Sequence, residues 1–142
     1  MKVTYPEHCG NSPKKLLLIE LHKAIAEDNK SFILDNLTDD VVLNLVGQRE
    51  VTGKDSVTAL FDELGAKDIQ EIIVDNAITH GNTAAVHGAF QLTDGSRIDF
   101  CHVVVFRGFS KTAKIKEIKS YLNGFLIHRK MMFMQSKIFI CT

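Results

Sequence analysis

The apolar residues of this chain change their spacing at Gly65. Before Gly65 they recur every three to four residues, as on one side of a helix, and after it they alternate with polar residues, as along a strand. Helices that come before the strands, rather than alternating with them, are typical of an α+β domain whose helices cover one face of an antiparallel sheet. At 142 residues, the chain has the length of one such domain.

Local signals in the first half of the chain predict three helices. The first begins at Ser12 and Pro13, because a serine side chain caps free backbone amides and proline suits the first helical position. A short second helix is expected at residues 31–37, followed by a turn at Thr38-Asp39-Asp40. A third is expected at about residues 54–64, where Gly65 follows at the position that favours a left-handed backbone.

Five strands are expected, and four of them follow Gly65. The first, at residues 41–46, is apolar on both faces except at Asn44, which indicates that both of its faces are covered. The other four are joined by short turns, one of them marked by the hairpin pair Asp94-Gly95, which predicts an antiparallel meander. They are expected at about residues 71–78, 84–92, 97–107 and 113–122. A twisted sheet wrapped over helices leaves a concavity, and a ligand pocket is expected there.

Charge and cysteine content narrow the class of protein. The 17 basic and 17 acidic residues balance, so the chain lacks the basic excess that nucleic-acid binding requires. Its three cysteines are widely and irregularly spaced, which favours free thiols in a reducing compartment over disulfides or a zinc site. The polar start is unlike a signal peptide, and no apolar run reaches the roughly 18 residues of a membrane span. We therefore expect a cytoplasmic protein with no nucleic-acid partner and no membrane span.

Four stretches of the sequence, in a fixed order, carry a resemblance to a known family. They are Leu37-Thr-Asp-Asp-Val-Val-Leu-Asn-Leu-Val-Gly47, Val51-Thr-Gly-Lys-Asp55, Asp94-Gly-Ser-Arg-Ile-Asp-Phe-Cys-His102 and Lys114-Ile-Lys-Glu-Ile-Lys-Ser-Tyr121. Together with the order of helices and strands, they resemble the nuclear transport factor 2-like superfamily and, within it, the SnoaL-like and ketosteroid-isomerase-like branch. The resemblance implies an α+β, cone-shaped (cystatin-like) fold with three N-terminal helices packed on a curved, mainly antiparallel sheet. It also implies a homodimer formed through the outer face of the sheet.

The resemblance assigns three chemical positions of the isomerase branch to this chain. The general-base aspartate corresponds to Asn44, the oxyanion-stabilising aspartate to His102, and a tyrosine of the first helix to Leu21. An amide has no useful basicity, so ketosteroid isomerase activity is not expected. Related cyclases use a histidine and an aspartate in this cavity, which keeps a different chemistry at His102 and Asn44 open.

His102 is the most distinctive residue of the predicted pocket. It is a titratable group on an otherwise apolar strand face, so it can polarise a bound carbonyl or act as an acid or base near neutral pH. The other interpretation is a purely structural role, in which His102 lies in the core or the pocket wall and makes one hydrogen bond. Asn44 is expected to point into the same cavity. The apolar wall is predicted to consist of Leu21, Val42, Val46, Phe61, Phe100 and Val104.

The other histidines are expected to lie outside the pocket. His22 is one position away from the main apolar stripe of the first helix and is predicted to lie at the rim or on the surface. His87 and Gln91 share the opposite strand face and are predicted to be surface or interface groups. The histidine spacing fits no common metal-site pattern, so neither a metal nor another cofactor is expected.

Three functions remain open from the sequence. The leading hypothesis is a dimeric, cofactor-free domain that binds a small apolar or aromatic ligand. The rival is an isomerase, cyclase or dehydratase that uses His102 with Asn44, and the third is a non-catalytic dimerisation module with a filled core. Cavity volume separates the third from the others, because a cavity below about 300 Å³ has no room for a ligand of the usual size.

The predicted domain leaves a segment at each end of the chain. Residues 1–11 are expected to form an N-terminal tail, residues 12–122 the SnoaL-like domain, and residues 123–142 an apolar and basic C-terminal extension. The extension holds three of the four methionines and no acidic residue. Because an exposed apolar segment of this kind promotes aggregation, we expect it to pack on another surface.

Overall fold

The structure, a computed structural model, describes residues 1–124. The helices are α1 (Pro13–Ala26), α2 (Lys30–Asp35) and α3 (Lys54–Glu63), with short 3₁₀ helices at Glu7–Asn11 and Ala66–Asp68. The strands are β1 (Lys2–Thr4), β2 (Leu37–Leu45), β3 (Arg49–Thr52), β4 (Ile69–His80), β5 (Thr83–Leu92), β6 (Arg97–Phe106) and β7 (Ile115–Gly124). Residues 125–142, which contain most of the predicted extension, lie outside the described residues, and the expectation that they pack on another surface stays a prediction.

One seven-stranded sheet contains all of these strands, in the order β1-β4-β5-β6-β7-β2-β3. Strands β4 to β7 form the predicted antiparallel meander. Only the β1–β4 and β2–β7 pairs are parallel. Helix α1 packs on β4 and β5, and α3 packs on β2 and β3. The predicted fold class, three helices on a curved and mainly antiparallel sheet, is confirmed.

The helix boundaries follow the local signals. Ser12 accepts a hydrogen bond from the Lys15 amide at 3.4 Å, and Pro13 is the first residue of α1. Gly65 follows the end of α3 with a φ of 82°, in the left-handed region that its position in the sequence predicts. Capping and glycine conformation are short-range effects, which is why the sequence indicates them correctly.

The start of β2 differs from the prediction. Residues 38–40, which were expected to form a turn, belong to the strand, and α2 ends at Asp35. The pairing of β2 with β7 shifts register between Leu37 and Val42, which accommodates these polar residues in the sheet. Sheet pairing here overrides the local turn preference of the two aspartates.

Two short strands were not predicted. Strand β3 contains one apolar residue, Val51, so it shows no alternation. Strand β1 lies within residues 1–11, predicted as a tail, and pairs with β4, while Cys9 of the same stretch is fully buried. Both strands lie at the edges of the sheet, where backbone hydrogen bonds rather than an apolar face hold a short strand in place.

The sheet bends where β4 and β5 cross behind α1. The register of this pair shifts between Val74 and Asn76, and Gly88 of β5 lies opposite Val74. A Cβ atom at Gly88 would lie 1.9 Å from the carbonyl oxygen of Ile73, so only glycine fits this close approach. A bulge of this kind increases local twist and bends the strand. The bend curves the sheet around α1.

Candidate functional site

An interior cavity of about 100 Å³ lies between the helices and the concave face of the sheet. Side chains of α1, α3 and strands β2 and β4 to β7 line it, and most of them are aliphatic or aromatic. The polar side chains on its wall are those of His22, His102 and Ser120. Among the described residues, none that line the cavity is Lys, Arg, Asp or Glu. The site is therefore an apolar cavity with a few neutral polar groups.

Strand β6 contributes the predicted histidine. Residues 98, 100, 102, 104 and 106 alternate toward the interior, as expected from the sequence, and His102 and Val104 line the cavity. The predicted wall residues Leu21 and Phe61 also line it. Phe100 is buried next to the cavity, and its ring stacks on that of His102 with centroids 4.7 Å apart and planes 15° apart.

Strand β2 presents the opposite face from the one predicted. Its cavity-lining residues are Leu43 and Leu45, so the alternating positions Val42 and Asn44 lie on the other face of the sheet. Val46 follows the end of β2, and its amide donates to the Ser120 carbonyl at 3.0 Å. The expectation that Asn44 shares the cavity with His102 is therefore wrong. Since β2 is apolar on both faces, alternation alone did not identify the inner one.

His22 is the cavity residue that the sequence prediction missed. It is only 7% exposed, and its Nδ1 atom lies 2.6 Å from the carbonyl oxygen of Leu18. Because a carbonyl oxygen only accepts, Nδ1 carries the hydrogen, and Nε2 of the neutral ring is an acceptor. The sequence did contain a signal for its burial. Leu18 and Ile19 are apolar and lie one turn before His22, so they predict that this side of α1 is also buried.

Four rings form a contiguous aromatic cluster on the cavity wall. We call His22, Phe90, Phe100 and His102 the ring cluster. Its closest pair is Phe90 and Phe100, with centroids 4.4 Å apart, and the His22 ring lies 5.1 Å from that of His102. Offset stacking at these distances stabilises planar groups beyond simple burial. The cluster fixes the orientation of both imidazole rings.

Both histidines of the ring cluster are held in the neutral state. Burial lowers the pKa of His102 well below its ordinary value of 6.5, and the charge on a protonated His22 would lower that pKa further. Burial also lowers the pKa of His22, although the hydrogen bond to the Leu18 carbonyl partly opposes this effect. Two protonated rings 5.1 Å apart in an apolar cavity would also repel each other, which further disfavours charge on both.

His102 has an unsatisfied hydrogen-bonding atom. Its Nδ1 is buried and has no partner among the residues that the structure describes. A buried polar atom without a partner costs roughly 1–3 kcal/mol, and such atoms are uncommon in folded proteins. A ring that lines the cavity therefore has a nitrogen whose hydrogen bond is not made within the described residues.

The sequence profile of the SnoaL-like domain family matches residues 18–118 of this chain. The chain belongs to the SnoaL-like domain family. That family is part of the nuclear transport factor 2-like superfamily, so the resemblance read from the four sequence stretches is confirmed. A search of curated proteins finds no significant match.

Solved structures with the same fold come from several bacteria. An NTF2-like protein of unknown function from Cytophaga hutchinsonii is 18% identical, with a TM-score of 0.59 over 76% of this chain and 97% of that one. Another such protein, from Burkholderia xenovorans, is 16% identical, with a TM-score of 0.66 over 78% and 83%. A putative SnoaL-like polyketide cyclase from Shewanella denitrificans is 14% identical, with a TM-score of 0.63 over 86% and 96%. At these identities the likeness concerns the fold.

The outer sheet face of this SnoaL-like domain holds the remaining predicted groups. His87 is exposed there, with its Nδ1 atom 3.8 Å from a carboxylate oxygen of Asp75, and Gln91 is half-buried.

Residues 1–124 contain no group of three or more His, Cys, Asp or Glu side chains arranged to hold a metal ion. Within the same range, no helix is long and apolar enough to cross a membrane.

Proposed function

We propose that this SnoaL-like domain binds a small apolar molecule in its interior cavity. The observation that carries the proposal is the unpaired Nδ1 atom of His102 on a wall that is otherwise almost entirely apolar. Buried polar atoms in folded proteins normally have a hydrogen-bond partner. A ligand with a polar group supplies that partner and buries its apolar part against the lining side chains.

The size of the cavity limits the size of the ligand. Its volume of about 100 Å³ is below the roughly 300 Å³ that a ligand of the usual size requires, so only a smaller ligand fits. An apolar cavity of about 150 Å³ in another protein binds benzene. This cavity is smaller, so we propose a ligand no larger than a single small ring. The small volume also favours the filled-core alternative, but a filled core does not explain the unpaired His102.

The position of Asn44 argues for binding over catalysis. The rival enzyme hypothesis requires His102 and Asn44 to act together, whereas Asn44 lies on the other face of the sheet. The polar residues that share the cavity with His102 are His22 and Ser120, and among the described residues no carboxylate lines it to orient the imidazole or share its proton. Ligand binding requires no proton transfer, so it fits a cavity whose described lining has no carboxylate beside His102.

Benzene is the probe that tests this proposal. A ligand at ten times its Kd adds about 1.4 kcal/mol to the free energy of unfolding, which raises the Tm of a domain of this size by about 4 °C. We expect this increase for the wild-type protein. Val104→Phe places a ring inside the cavity and should abolish the increase, whereas Val42→Phe adds the same bulk on the other face and should preserve it. A wild-type Tm that benzene does not change contradicts the proposal.

We also propose that two copies pair through the outer face of the sheet. The support is an apolar region at its centre, where the half-buried residues Ala85 and Val103 are paired in register. Ile78 on β4 and Tyr121 on β7 extend this region and are 58% and 47% exposed. Exposed apolar side chains grouped on one sheet face are typical of a protein–protein interface.

The cytoplasm is the proposed location of the protein. The support comes from the odd number of cysteines, which is typical of proteins in a reducing compartment. Cys9 and Cys101 are free thiols, and Cys141 lies outside the described residues.

A further inference from the structure

We infer that the cavity selects a neutral aromatic molecule with one hydroxyl group, the chemical class of phenol. This inference rests on the proposed function, because it specifies the ligand of the same cavity. Three properties of the wall lead to it: the stacked rings, the lack of charged lining residues and the arrangement of imidazole nitrogens.

The stacked rings favour a flat aromatic ligand. His22, Phe90 and His102 line the cavity, and Phe100 stacks behind them. Ring centroids of the stacked pairs in the cluster lie as close as 4.4 Å and 4.7 Å. A planar ligand extends such a stack, whereas a saturated ring of the same size presents hydrogens on both faces and does not.

The absence of charged lining residues favours a neutral ligand. None of the described lining residues carries a formal charge at neutral pH, so a carboxylate or an ammonium group in the cavity would be a buried charge without a counter-ion. The two histidines do not supply the missing charge, because burial lowers the pKa of each. A phenol has a pKa of about 10 and enters the cavity uncharged.

The imidazole nitrogens favour a hydroxyl group. His22 donates its Nδ1 hydrogen to the Leu18 carbonyl, which leaves Nε2 as an acceptor, and His102 has a buried Nδ1 atom without a described partner. A hydroxyl group both donates and accepts, so it can pair with the Nε2 acceptor of His22 or with the unpaired nitrogen of His102 in either tautomer. A ketone only accepts, so it cannot satisfy the His22 acceptor.

The first experiment compares four probes on the wild-type protein by titration calorimetry. The probes are benzene, phenol, cyclohexanol and benzoate. We expect phenol to bind about tenfold more tightly than benzene and more tightly than cyclohexanol, because it alone combines the ring with the hydroxyl group. We expect no measurable binding of benzoate.

The second experiment removes the imidazole nitrogens while retaining a ring. His102→Phe keeps a ring in the cavity wall but has no ring nitrogen, so it should lose the tenfold preference for phenol over benzene. His87→Phe, an identical change at an exposed position on the outer sheet face, should retain it. If His102→Phe does not fold, ¹⁵N spectra of the wild type replace it, and phenol but not benzene should shift the His102 ring-nitrogen resonances.

The outcomes separate this inference from the proposed function. If benzene binds and phenol binds no more tightly, the inference is overturned while the proposed function stands. A phenol preference that survives in His102→Phe, or ¹⁵N resonances of His102 that phenol leaves unchanged, also overturns it. Benzoate binding as tight as that of phenol overturns the requirement for a neutral ligand. If none of the probes binds, the proposed function fails and the inference fails with it.

Discussion

His22 and His102 differ in how their polar atoms are satisfied. His22 donates to a carbonyl of its own helix, which is a short-range partner that α1 supplies once it forms. His102 lies on a strand, where the backbone groups are occupied by the ladder, so its Nδ1 depends on an atom from another part of the molecule or from a ligand. The same residue type therefore has a structural role at position 22 and a binding role in our proposal at position 102.

Acid should destabilise the folded protein through these histidines. Their pKa values are lowered in the folded state, so below pH 6.5 the unfolded chain binds more protons than the folded chain. The free energy of unfolding should therefore fall as the pH drops from about 6.5, by up to about 1.4 kcal/mol per pH unit for each histidine, until the folded-state pKa is passed. No other titratable side chain among the described residues lines the cavity.

Thermal melts between pH 7.5 and pH 5 test this expectation. His102→Phe should reduce the loss of Tm on acidification, because one of the two buried titrating groups is gone. His87→Phe is the matched histidine-to-phenylalanine change at an exposed position outside the cavity. Equal slopes in all three proteins would show that the buried rings do not govern the pH dependence.

At the scale of the elements, the bulge between β4 and β5 gives the sheet its curvature. The approach of the Gly88 backbone to Ile73 and Val74 leaves no space for a side chain. Gly88 lies inside strand β5, and at such a position glycine ordinarily destabilises the folded protein relative to alanine. The close contact therefore outweighs the intrinsic preference of the backbone.

Gly88→Ala should lower the free energy of unfolding by about 1–3 kcal/mol, as other overpacked sites do. The physical reason is the 1.9 Å contact between the added Cβ and the Ile73 carbonyl oxygen. Gly10→Ala is the matched control, because nothing lies within 4 Å of a Cβ added there. Urea denaturation measures both variants. A Gly88→Ala protein as stable as Gly10→Ala would contradict this account of the curvature.

At the scale of the whole molecule, the two faces of the sheet have different environments. The concave face is covered by α1 and α3, and the outer face carries the half-buried side chains of Ala85 and Val103. Burying that region against a second copy removes apolar surface from water, which is the main favourable contribution to association.

Val103→Lys should convert the proposed dimer to a monomer, because it places a charge at the centre of the paired face. Glu27→Lys, an exposed change at the end of α1 and away from that face, should leave the oligomeric state unchanged. Sedimentation equilibrium measures both. A wild-type protein that sediments as a monomer would overturn the proposed dimer.

The sequence by itself determined the elements whose signals are local. Helix α1 was indicated by its cap, α3 by its apolar stripe and terminal glycine, and the meander by alternation and by the Asp94-Gly95 turn, where Gly95 has a φ of 88°. The inward face of β6, with His102, also followed from alternation, because only one face of that strand carries aromatic side chains, those of Phe100 and Phe106. These features depend on residues that are a few positions apart, so a single stretch of sequence contains the whole signal.

Only the tertiary structure decided which face of β2 is internal, that β1 and β3 complete the sheet, and that His22 stacks beside His102. Strand β2 is apolar on both sides, so its inner face is set by where α3 packs, and the edge strands are held by backbone bonds to distant partners. His22 enters the cavity because the curved sheet brings Phe90 and Phe100 against α1. Each of these outcomes depends on contacts between residues far apart in the chain, which no local pattern encodes.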